Sequence, residues 1–550
     1  MSRHQTTRLS RRQILAGGAA STSLLLAGCT GGGESGSGST DGSSDTTDGG
    51  DSGGPDPTLY VAQVKGPIDM DPVVINDVPS GQIAGQIFDG LYEYGEDVRI
   101  QPKIAADMPT VERDGTRYIV PIREGATFHN GDPVTADDVV HTMTAPVDEQ
   151  TANASEVNMI DTAEAVDETT VQFDLKYPYG AFTTAMVRNV VNADVRRDDP
   201  EAYNQDPVGS GPFQLVEWEP ENYATVERWD DYWDTDSRPA VAGIEFDPIE
   251  EQTTRVTELE TGNVDVIETI PPQLYETVEG NQNAQITESP GVGYYYLAFN
   301  CANGPTSDPR VREAVDYCFS MDQAIENFVE PSGVRQYSPY PASISEEWEF
   351  PVDEWASIPH DQDIETAQSL FEEAGVPTDY EWRIIVPPDD MREQIGITIG
   401  DGLQNAGFEN VQVQRLDWGT FIQTYQSDEG PNSEDAYNMY TLGWSGSPDP
   451  DAFAYYLLSQ QTNGVTNGTF HGYDEASEML TQARESADYE TRRERYIDAT
   501  TQLLEARVHL PAYNLNNSYG IRNAVDGFSA HPIATEVQVA TDHTTVSVSR

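Results

Sequence analysis

Apolar positions between residues 363 and 444 repeat with a helical period and a strand period in turn. Two helical stripes, each ended by a glycine, consist of Ile364, Ala367, Leu370, Phe371 and Ala374, and of Met391, Ile395, Ile399, Leu403 and Ala406. Strand-like segments lie at 381–388, 411–418 and 436–444, and a further helix is predicted near 419–426. This alternation is typical of parallel β-α-β units.

Two of these predicted strands end in tryptophan, at Trp418 and Trp444. In open α/β sheets, ligands bind outside the carboxyl ends of the strands, so both side chains are candidates for a binding cleft. Aromatic faces suit such a cleft because they hold organic ligands by stacking and exclude water. The alternative is that either tryptophan packs on the edge of its own lobe.

Composition limits the partners that the chain can bind. The 550 residues include 94 Asp and Glu against 30 Lys and Arg, a formal net charge of −64, yet 37% are hydrophobic, which is enough for a folded core. Single cores stop growing beyond about 250–300 residues, so the body should contain at least two lobes. The acidic surface argues against nucleic-acid binding. The scarcity of lysine and the excess of acids resemble proteins of salt-loving archaea. Acids on such a surface repel one another at low salt, and molar salt weakens this repulsion by shortening the screening length to about 3 Å.

The amino terminus has the layout of an export signal. The segment Ser10-Arg11-Arg12 with Leu15 resembles a twin-arginine signal, and Leu26 to Cys29 resembles a lipobox, which predicts a signal at 1–28 and lipid on Cys29. Residues 29–57 are rich in Gly, Ser and Asp and form a predicted disordered linker. We expect an extracellular protein held on the cell membrane by its lipid. A plain secretory signal and an uncleaved anchor are the alternatives.

Residue patterns typical of catalysis or metal binding are missing from the sequence. The eight histidines form no HExxH motif, and the segment around Ser445 misses the GxSxG elbow by one residue. We therefore expect no enzyme, cofactor or metal. His129, in the turn before a helix that Thr135 and Asp138 are expected to cap, is interpreted as a structural hydrogen-bonding group.

The remaining cysteines and the sequons leave two questions open. Cys301 and Cys318 can form a disulfide in an exported protein, but Cys318 continues a helical stripe, which favours two free thiols. The sequons at Asn153, Asn467 and Asn516 make glycosylation possible.

Several long segments resemble one family. They are IFDGLYEYGEDVRIQPKIAADMP, DGTRYIVPIREGATFHNGDPVTADDV, GSGPFQLVEWEPENYATVERWDDYWD, YYYLAFN, DPRVREAVDYCFSMDQAI, LFEEAG, GWSGSPDPDAF and RRERYIDATTQLLEARVHLPAYN. In this order, over about residues 58–535, they resemble the large solute-binding proteins of ABC importers in the dipeptide, oligopeptide and nickel group. The resemblance implies an α/β, periplasmic-binding-protein-like fold of type II, with two lobes, a hinge and an inserted domain.

The resemblance also implies domain boundaries, which define the names used below. Lobe 1 is expected at 58–88, 200–293 and 510–550, the inserted domain at 89–199 and lobe 2 at 294–509. Two crossings, near 290–300 and 507–514, would form a hinge that closes the lobes on a solute.

The same resemblance implies where the ligand binds. Positions on the two crossings face the cleft in relatives, which makes candidates of Tyr294, Tyr296, Asn300, Tyr513 and Asn514. Strand alternation places Tyr294 and Tyr296 on one face and the tyrosine between them on the other. Each tyrosine has packing within a lobe as its alternative.

One position departs from the family pattern. In peptide-binding relatives, an aspartate shortly after the Gly-Trp pair meets the peptide's amino terminus, because a buried ammonium needs a carboxylate partner. Here that position is Ser447, and Asp449 and Asp451 follow. Either Asp449 takes the role or the ligand has no free amine.

These observations favour a binding component of an ABC importer. We expect the protein to be a monomer that captures a small organic solute, most readily a di- or oligopeptide, and delivers it to a membrane permease with its ATPase. An oligosaccharide or a metal chelate is the alternative solute. An exported hydrolase and a surface-layer protein fit less well, since neither catalytic constellations nor repeats are found.

Overall fold

The computed structural model describes residues 57–426, 436–541 and 545–549. The predicted signal over 1–28, the lipidated Cys29 and the linker up to residue 56 lie outside these residues. Among the helices of the described ranges, none has both the length and the apolar content needed to cross a membrane.

The first part of the described chain contains twelve strands and eight α-helices. The strands are β1 Thr58–Gln63, β2 Tyr92–Tyr94, β3 Ile100–Pro102, β4 Thr110–Glu112, β5 Arg117–Pro121, β6 Ile160–Asp167, β7 Thr170–Leu175, β8 Phe213–Glu219, β9 Tyr223–Arg228, β10 Gly243–Pro248, β11 Val266–Glu268 and β12 Ala284–Pro290. The helices are α1 Val78–Ile87, α2 Ala136–Asp148, α3 Ala154–Val157, α4 Phe182–Ala185, α5 Ala193–Asp198, α6 Pro200–Gln205, α7 Gln252–Thr261 and α8 Tyr275–Glu279.

The rest of the described chain contains eight strands and ten α-helices. The strands are β13 Gly293–Phe299, β14 Gly333–Arg335, β15 Glu381–Val386, β16 Asn410–Arg415, β17 Met439–Ser445, β18 His509–Arg522, β19 Val525–Asp526 and β20 Ser547–Val548. The helices are α9 Pro309–Asp316, α10 Met321–Phe328, α11 Ala342–Glu347, α12 Val352–Trp355, α13 Ile364–Glu373, α14 Asp390–Asn405, α15 Trp418–Gln426, α16 Asp451–Leu458, α17 Asp474–Arg484 and α18 Tyr489–Glu505.

A 12-stranded sheet runs through the molecule in the order β16-β15-β17-β13-β18-β11-β1-β10-β9-β8, with β12 and β14 also paired to β18. Strand β15 pairs in parallel with β16 and β17, which confirms the predicted β-α-β units. Strand β17 also pairs antiparallel with β13. A separate 4-stranded sheet, β4-β5-β7-β6, lies within the predicted inserted domain.

The long strand β18 belongs to both halves of the large sheet. Its first residues, from His509, pair with β13, and its last residues, up to Arg522, pair with β12 and β11. The chain passes from β12 to β13 through Gly291, and a Cβ there would lie 2.9 Å from the carbonyl oxygen of Leu515. The two expected crossings therefore run side by side. The domain boundaries themselves stay predictions.

Several local predictions are tested by hydrogen bonds. Thr135 donates from its backbone nitrogen and hydroxyl to Asp138 Oδ2, at 2.8 and 2.7 Å, which confirms the predicted cap of α2. His129 Nε2 lies 3.0 Å from the carbonyl oxygen of Gly211, and burial lowers the pKa of His129 to about 4, so the neutral ring has the predicted structural role. Cys301 and Cys318 are free thiols, and Cys318 lies in the core as predicted.

Two sequons lie in the folded interior. Asn153 is 4% exposed and Asn467 is not exposed at all, and both amide nitrogens donate to backbone carbonyl oxygens. The folded protein therefore does not offer these two side chains for glycosylation. Asn516 is half-buried, and its Nδ2 lies 3.4 Å from the carbonyl oxygen of Pro331.

Candidate functional site

The carboxyl ends of β15 and β16 bring a basic side chain next to aromatic rings. Helix α14 begins just after β15, and Asp389 caps it by accepting a hydrogen bond from the backbone nitrogen of Arg392 at 2.9 Å. The same carboxylate lies 3.2 Å from Arg392 Nε. Burial disfavours the charged guanidinium, but the Asp389 carboxylate outweighs it and raises the pKa of Arg392. Arg392 is therefore a permanent cation at this sheet edge.

Arg392 lies between two rings. Its Cζ is 5.7 Å from the ring centroid of Trp418 and 5.7 Å from that of Tyr295. Tyr295 stacks in turn on Tyr513, with ring centroids 4.5 Å apart and planes 9° from parallel. Such contacts attract a cation to the ring face and fix the plane of the guanidinium. We call Trp418, Arg392, Tyr295 and Tyr513 the Arg392 stack.

Trp418 starts helix α15, so the prediction that it ends a strand is wrong in detail. Strand β16 ends at Arg415. The Asp417 carboxylate accepts hydrogen bonds from the backbone nitrogen of Thr420 at 3.1 Å and from its hydroxyl at 2.6 Å. This cap starts the helix and leaves Trp418 46% exposed beside the sheet edge.

Tyr294 and Tyr296 lie on the opposite face of β13 from Tyr295, as predicted, and are 0% and 2% exposed. Their rings stack on each other with centroids 4.7 Å apart, and the ring of Tyr296 lies 4.1 Å from that of His509. Burial lowers the pKa of His509 to about 3, so its ring is neutral. These contacts agree with the alternative that both tyrosines pack within lobe 2. In this conformation they present no surface to a solute.

Asn300 and Asn514 have structural contacts and are 0% and 2% exposed. Asn300 donates to the carbonyl oxygen of Tyr437 at 3.0 Å and accepts from the turn that follows β13. Asn514 donates from Nδ2 to the carbonyl oxygen of Gly291 at 2.5 Å, which ties the two crossings together. Both side chains are almost fully buried, so neither is accessible to a ligand in this conformation.

The glycine before Trp444 is required by the Arg392 stack. A Cβ on Gly443 would lie 2.3 Å from Cε1 of Tyr295, because the tyrosine ring covers the opposite strand. Trp444 itself is half-buried, donates from Nε1 to the carbonyl oxygen of Ala452 at 2.8 Å and stacks on Tyr456 at 6.3 Å.

The structure gives Asp449 an internal partner. Asp449 is 6% exposed, and its Oδ1 lies 2.5 Å from the guanidinium of Arg492 and accepts from the backbone nitrogen of Asp451 at 2.9 Å. The hypothesis that Asp449 anchors a ligand ammonium is therefore at odds with this geometry, because its charge is already neutralised. Ser447 lies on the surface.

Lobe 2 meets the predicted inserted domain next to Trp444. Tyr179 donates to Asp451 Oδ2 at 3.2 Å, and Asp451 forms an ion pair with Arg484. The Arg484 guanidinium lies 4.8 Å from the ring of Tyr179 and 4.4 Å from that of Tyr455. This contact is buried, so the loop after β7 rests on lobe 2.

Sequence reasoning missed Arg392 and set Tyr295 apart from the predicted residues. The signal available for Arg392 was its place in the first turn of a helix directly after a buried strand. No group of three or more His, Cys, Asp or Glu side chains is arranged to hold a metal ion within the described ranges.

A separate cavity of about 570 Å³ lies away from the predicted ligand-binding residues, none of which lines it. Its walls come from α1, the hairpin of β2 and β3, residues 187–189 and residues 535–541. We call it the α1 cavity.

Two curated relatives of this chain are named as binding proteins. The oligopeptide-binding protein AppA of Bacillus subtilis is 25% identical, over 93% of this chain and 94% of the relative. The glutathione-binding protein GsiB of Pectobacterium atrosepticum is 25% identical, over 79% of this chain and 84% of the relative.

Solved structures show the same fold. The ABC transporter substrate-binding protein CtaP of Listeria monocytogenes superposes with a TM-score of 0.78 at 21% identity, covering 90% of this chain and 100% of its own. The periplasmic binding protein DppA of Helicobacter pylori, in complex with the peptide STSA, gives 0.72 at 21% identity, covering 90% and 98%. The predicted type II periplasmic-binding-protein fold is thus confirmed. Residues 99–465 match the profile described as bacterial extracellular solute-binding proteins, family 5 middle, and the chain belongs to this family.

Proposed function

We propose that this family 5 solute-binding protein captures a carboxylate-bearing organic solute, a di- or oligopeptide, between its lobes and delivers it to an ABC permease and its ATPase. The Arg392 stack at the carboxyl ends of β15 and β16 carries this proposal. Open α/β sheets bind ligands at such edges. The peptide- and glutathione-binding relatives support the same class of solute.

The chemistry of the stack fits a carboxylate. A guanidinium presents its N–H groups in a planar fork that matches the two oxygens of a carboxylate. The Arg392 side chain is 16% exposed, and the adjoining Trp418 is 46% exposed, so this edge is open to a solute. The Asp389 carboxylate holds the guanidinium in place without covering it completely.

The amine of a peptide is not expected to bind Asp449. Displacing Arg492 from Asp449 would leave a buried guanidinium without its partner, which is costly. Recognition is therefore led by the carboxylate, and binding should tolerate blocked amino termini.

A neutral oligosaccharide is the second candidate solute, favoured by the partly exposed aromatic side chain of Trp418. A sugar would stack on the ring and would not need the charge of Arg392, whereas a peptide carboxylate would need it. One experiment that removes this charge therefore separates the two candidates.

The test is calorimetric titration of the full chain in molar salt with a free tripeptide, its carboxyl-amidated form and a trisaccharide. The free peptide should bind, and amidation or Arg392→Gln should each weaken it about 10- to 100-fold, the worth of a charge-assisted hydrogen bond. Arg415→Gln is the matched control, because Arg415 lies at the end of the neighbouring strand β16 and pairs with Asp390 and Glu393 of α14. Equal binding of free and amidated peptides, or binding of the sugar alone, would refute the proposal.

Export and anchoring complete the proposal. Family 5 proteins are extracellular or periplasmic, and the twin-arginine pattern and lipobox support export in this way with lipid on Cys29. A Cys29→Ala variant should appear in the medium, whereas the unaltered chain should stay with the membrane fraction. Retention of the variant on the membrane would contradict the lipid anchor.

A further inference from the structure

The α1 cavity has a strongly acidic wall. Its lining carries the carboxylates of Asp89, Glu93, Glu96, Asp97 and Glu536, and it carries two basic side chains, Lys103 and Arg188. Acids therefore exceed bases by three in the wall.

Both basic side chains are paired with acids outside the wall, and Lys103 Nζ also lies 4.0 Å from the Glu93 carboxylate within the wall. Lys103 Nζ lies 2.7 Å from Asp234, and Arg188 pairs with Glu156. Neither Asp234 nor Glu156 lines the cavity. Lys103 therefore partly neutralises Glu93, whereas neither cation forms an ion pair with Glu536 in the described part of the chain.

Two groups in the wall have unused binding capacity. The Glu536 carboxylate has neither a hydrogen bond nor an ion pair in the described part of the chain, and burial together with the charge of Glu93 raises the pKa of Glu536 to about 7. The Tyr94 side chain is 9% exposed, and its hydroxyl has no hydrogen-bond partner among the described residues. Glu536 is half-buried and lines the cavity together with Tyr94, so both groups are open to a ligand that supplies donors and positive charge.

The geometry points away from a metal ion. None of these carboxylates belongs to a group of three or more that could hold a metal, within the described residues. The wall also contains the aromatic side chains of Phe88, Tyr94 and Tyr232, and aromatic faces attract organic cations. A volume of about 570 Å³ lies within the range of small-molecule sites, roughly 300–1,000 Å³.

We propose that the α1 cavity is a second ligand site, for an organic ammonium compound such as an aliphatic diamine, whose ammonium binds the Glu536 carboxylate and the Tyr94 hydroxyl. The site is independent of the Arg392 stack, because none of the stack residues lines it. The protein can therefore bind a solute at the Arg392 stack and an ammonium compound in the α1 cavity at the same time.

The test is calorimetric titration of the full chain with 1,4-diaminobutane in molar potassium chloride, which screens the exposed acids. We expect saturable binding at one site, and no binding of 1,4-butanediol or Mg²⁺. Glu536→Gln should weaken the diamine at least about tenfold, and Tyr94→Phe about threefold, as expected for loss of a charged and a neutral hydrogen bond. Glu217→Gln, an exposed acid on β8, is the matched control and should change nothing.

Three results would overturn the proposal. The first is that the unaltered protein shows no saturable binding of the diamine, and the second is that Glu536→Gln and Glu217→Gln weaken binding equally. The third is that Trp418→Ala abolishes binding while Glu536→Gln does not change it, which would place the amine at the Arg392 stack. Tyr94→Phe removes a single oxygen and keeps the proposal testable if Glu536→Gln does not fold. The peptide titration is a separate readout, so failure of one site leaves the other intact.

Discussion

The Arg392 stack and the α1 cavity are built from similar residue types but suit ligands of opposite charge. Each combines aromatic rings with a charged side chain, but the stack presents a cation and the cavity presents a carboxylate. The stack lies at the exposed ends of parallel strands, whereas the cavity is a pocket lined mainly by α1, a hairpin and residues 535–541. The difference teaches where this chain uses its basic residues.

Basic side chains are scarce in this acidic protein and are placed selectively. The largest fully buried side chains include Arg196, Arg255 and Arg312, which bind carboxylates or backbone carbonyl oxygens in the interior. With 30 basic residues against 94 acids, a partly exposed arginine at a strand edge stands out. The half-buried Glu536 differs from these arginines, because no basic side chain forms an ion pair with it within the described residues.

The largest expected effect concerns the ion pair of Asp449 with Arg492. This pair decides whether Asp449 can bind a ligand ammonium while the Arg392 stack binds the carboxylate. Arg492→Leu leaves the Asp449 carboxylate buried and unpaired, so the free energy of unfolding should fall by about 3–5 kcal/mol. Chemical denaturation measures it. The double variant Asp449→Asn, Arg492→Leu should recover part of the loss. If Arg492→Leu left the free energy of unfolding unchanged, Asp449 would not need this partner and could bind a ligand ammonium.

The next effect tests the packing beneath the stack. Gly443→Ala forces a Cβ against the Tyr295 ring, so we expect a loss of about 1–3 kcal/mol in unfolding free energy and weaker peptide binding. Gly419→Ala is the matched control, because its nearest neighbour, Asp417 Oδ1, lies 3.5 Å away. It should stabilise the helix by up to about 1 kcal/mol. Unaltered stability of Gly443→Ala would contradict the position of the Tyr295 ring.

A smaller effect separates the exposed ring from the core. Trp418→Ala should weaken peptide binding about fivefold by removing roughly 1 kcal/mol of cation–π contact, with little change in melting temperature. Trp418→Phe keeps a ring and should retain most of the affinity. A large fall in melting temperature would instead show that Trp418 is a core residue.

The smallest effect is the pH dependence of the α1 cavity. The pKa of Glu536 is raised in the folded state, so its contribution to stability is complete below its unfolded pKa and is lost as the pH rises through about 7. Between pH 5 and 8, the melting temperature of the unaltered protein should fall more than that of Glu536→Gln, by about 1–2 °C. Glu93, whose charge raises this pKa, and the other ionisable wall residues are the same in both proteins; these others are Asp89, Tyr92, Tyr94, Glu96, Asp97, Lys103, Arg188 and Tyr232. Parallel melting curves would show that Glu536 is solvated.

The sequence predicts those parts of the fold that depend on local order. The apolar stripes of α13 and α14 and the parallel pairing of β15 with β16 and β17 follow from periodicity alone. The end of β16 does not, because the Asp417 cap is a side-chain hydrogen bond that competes with strand propensity.

The candidate site is less predictable because its contacts join distant segments. Alternation in β13 gives the two faces correctly, but it does not show which face is buried against helices and which carries Arg392. The α1 cavity is lined by segments that are far apart in the chain, and no local pattern indicates that they meet.

The passage of β18 through both halves of the sheet has a consequence for unfolding. Since the first residues of this 14-residue strand pair with β13 and its last residues pair with β12 and β11, neither half of the sheet can lose its part of β18 without disturbing the other. The hydrogen bond from Asn514 to the carbonyl oxygen of Gly291 adds a second link. The folded body should therefore melt in one cooperative transition, with equal calorimetric and van't Hoff enthalpies, despite its two lobes.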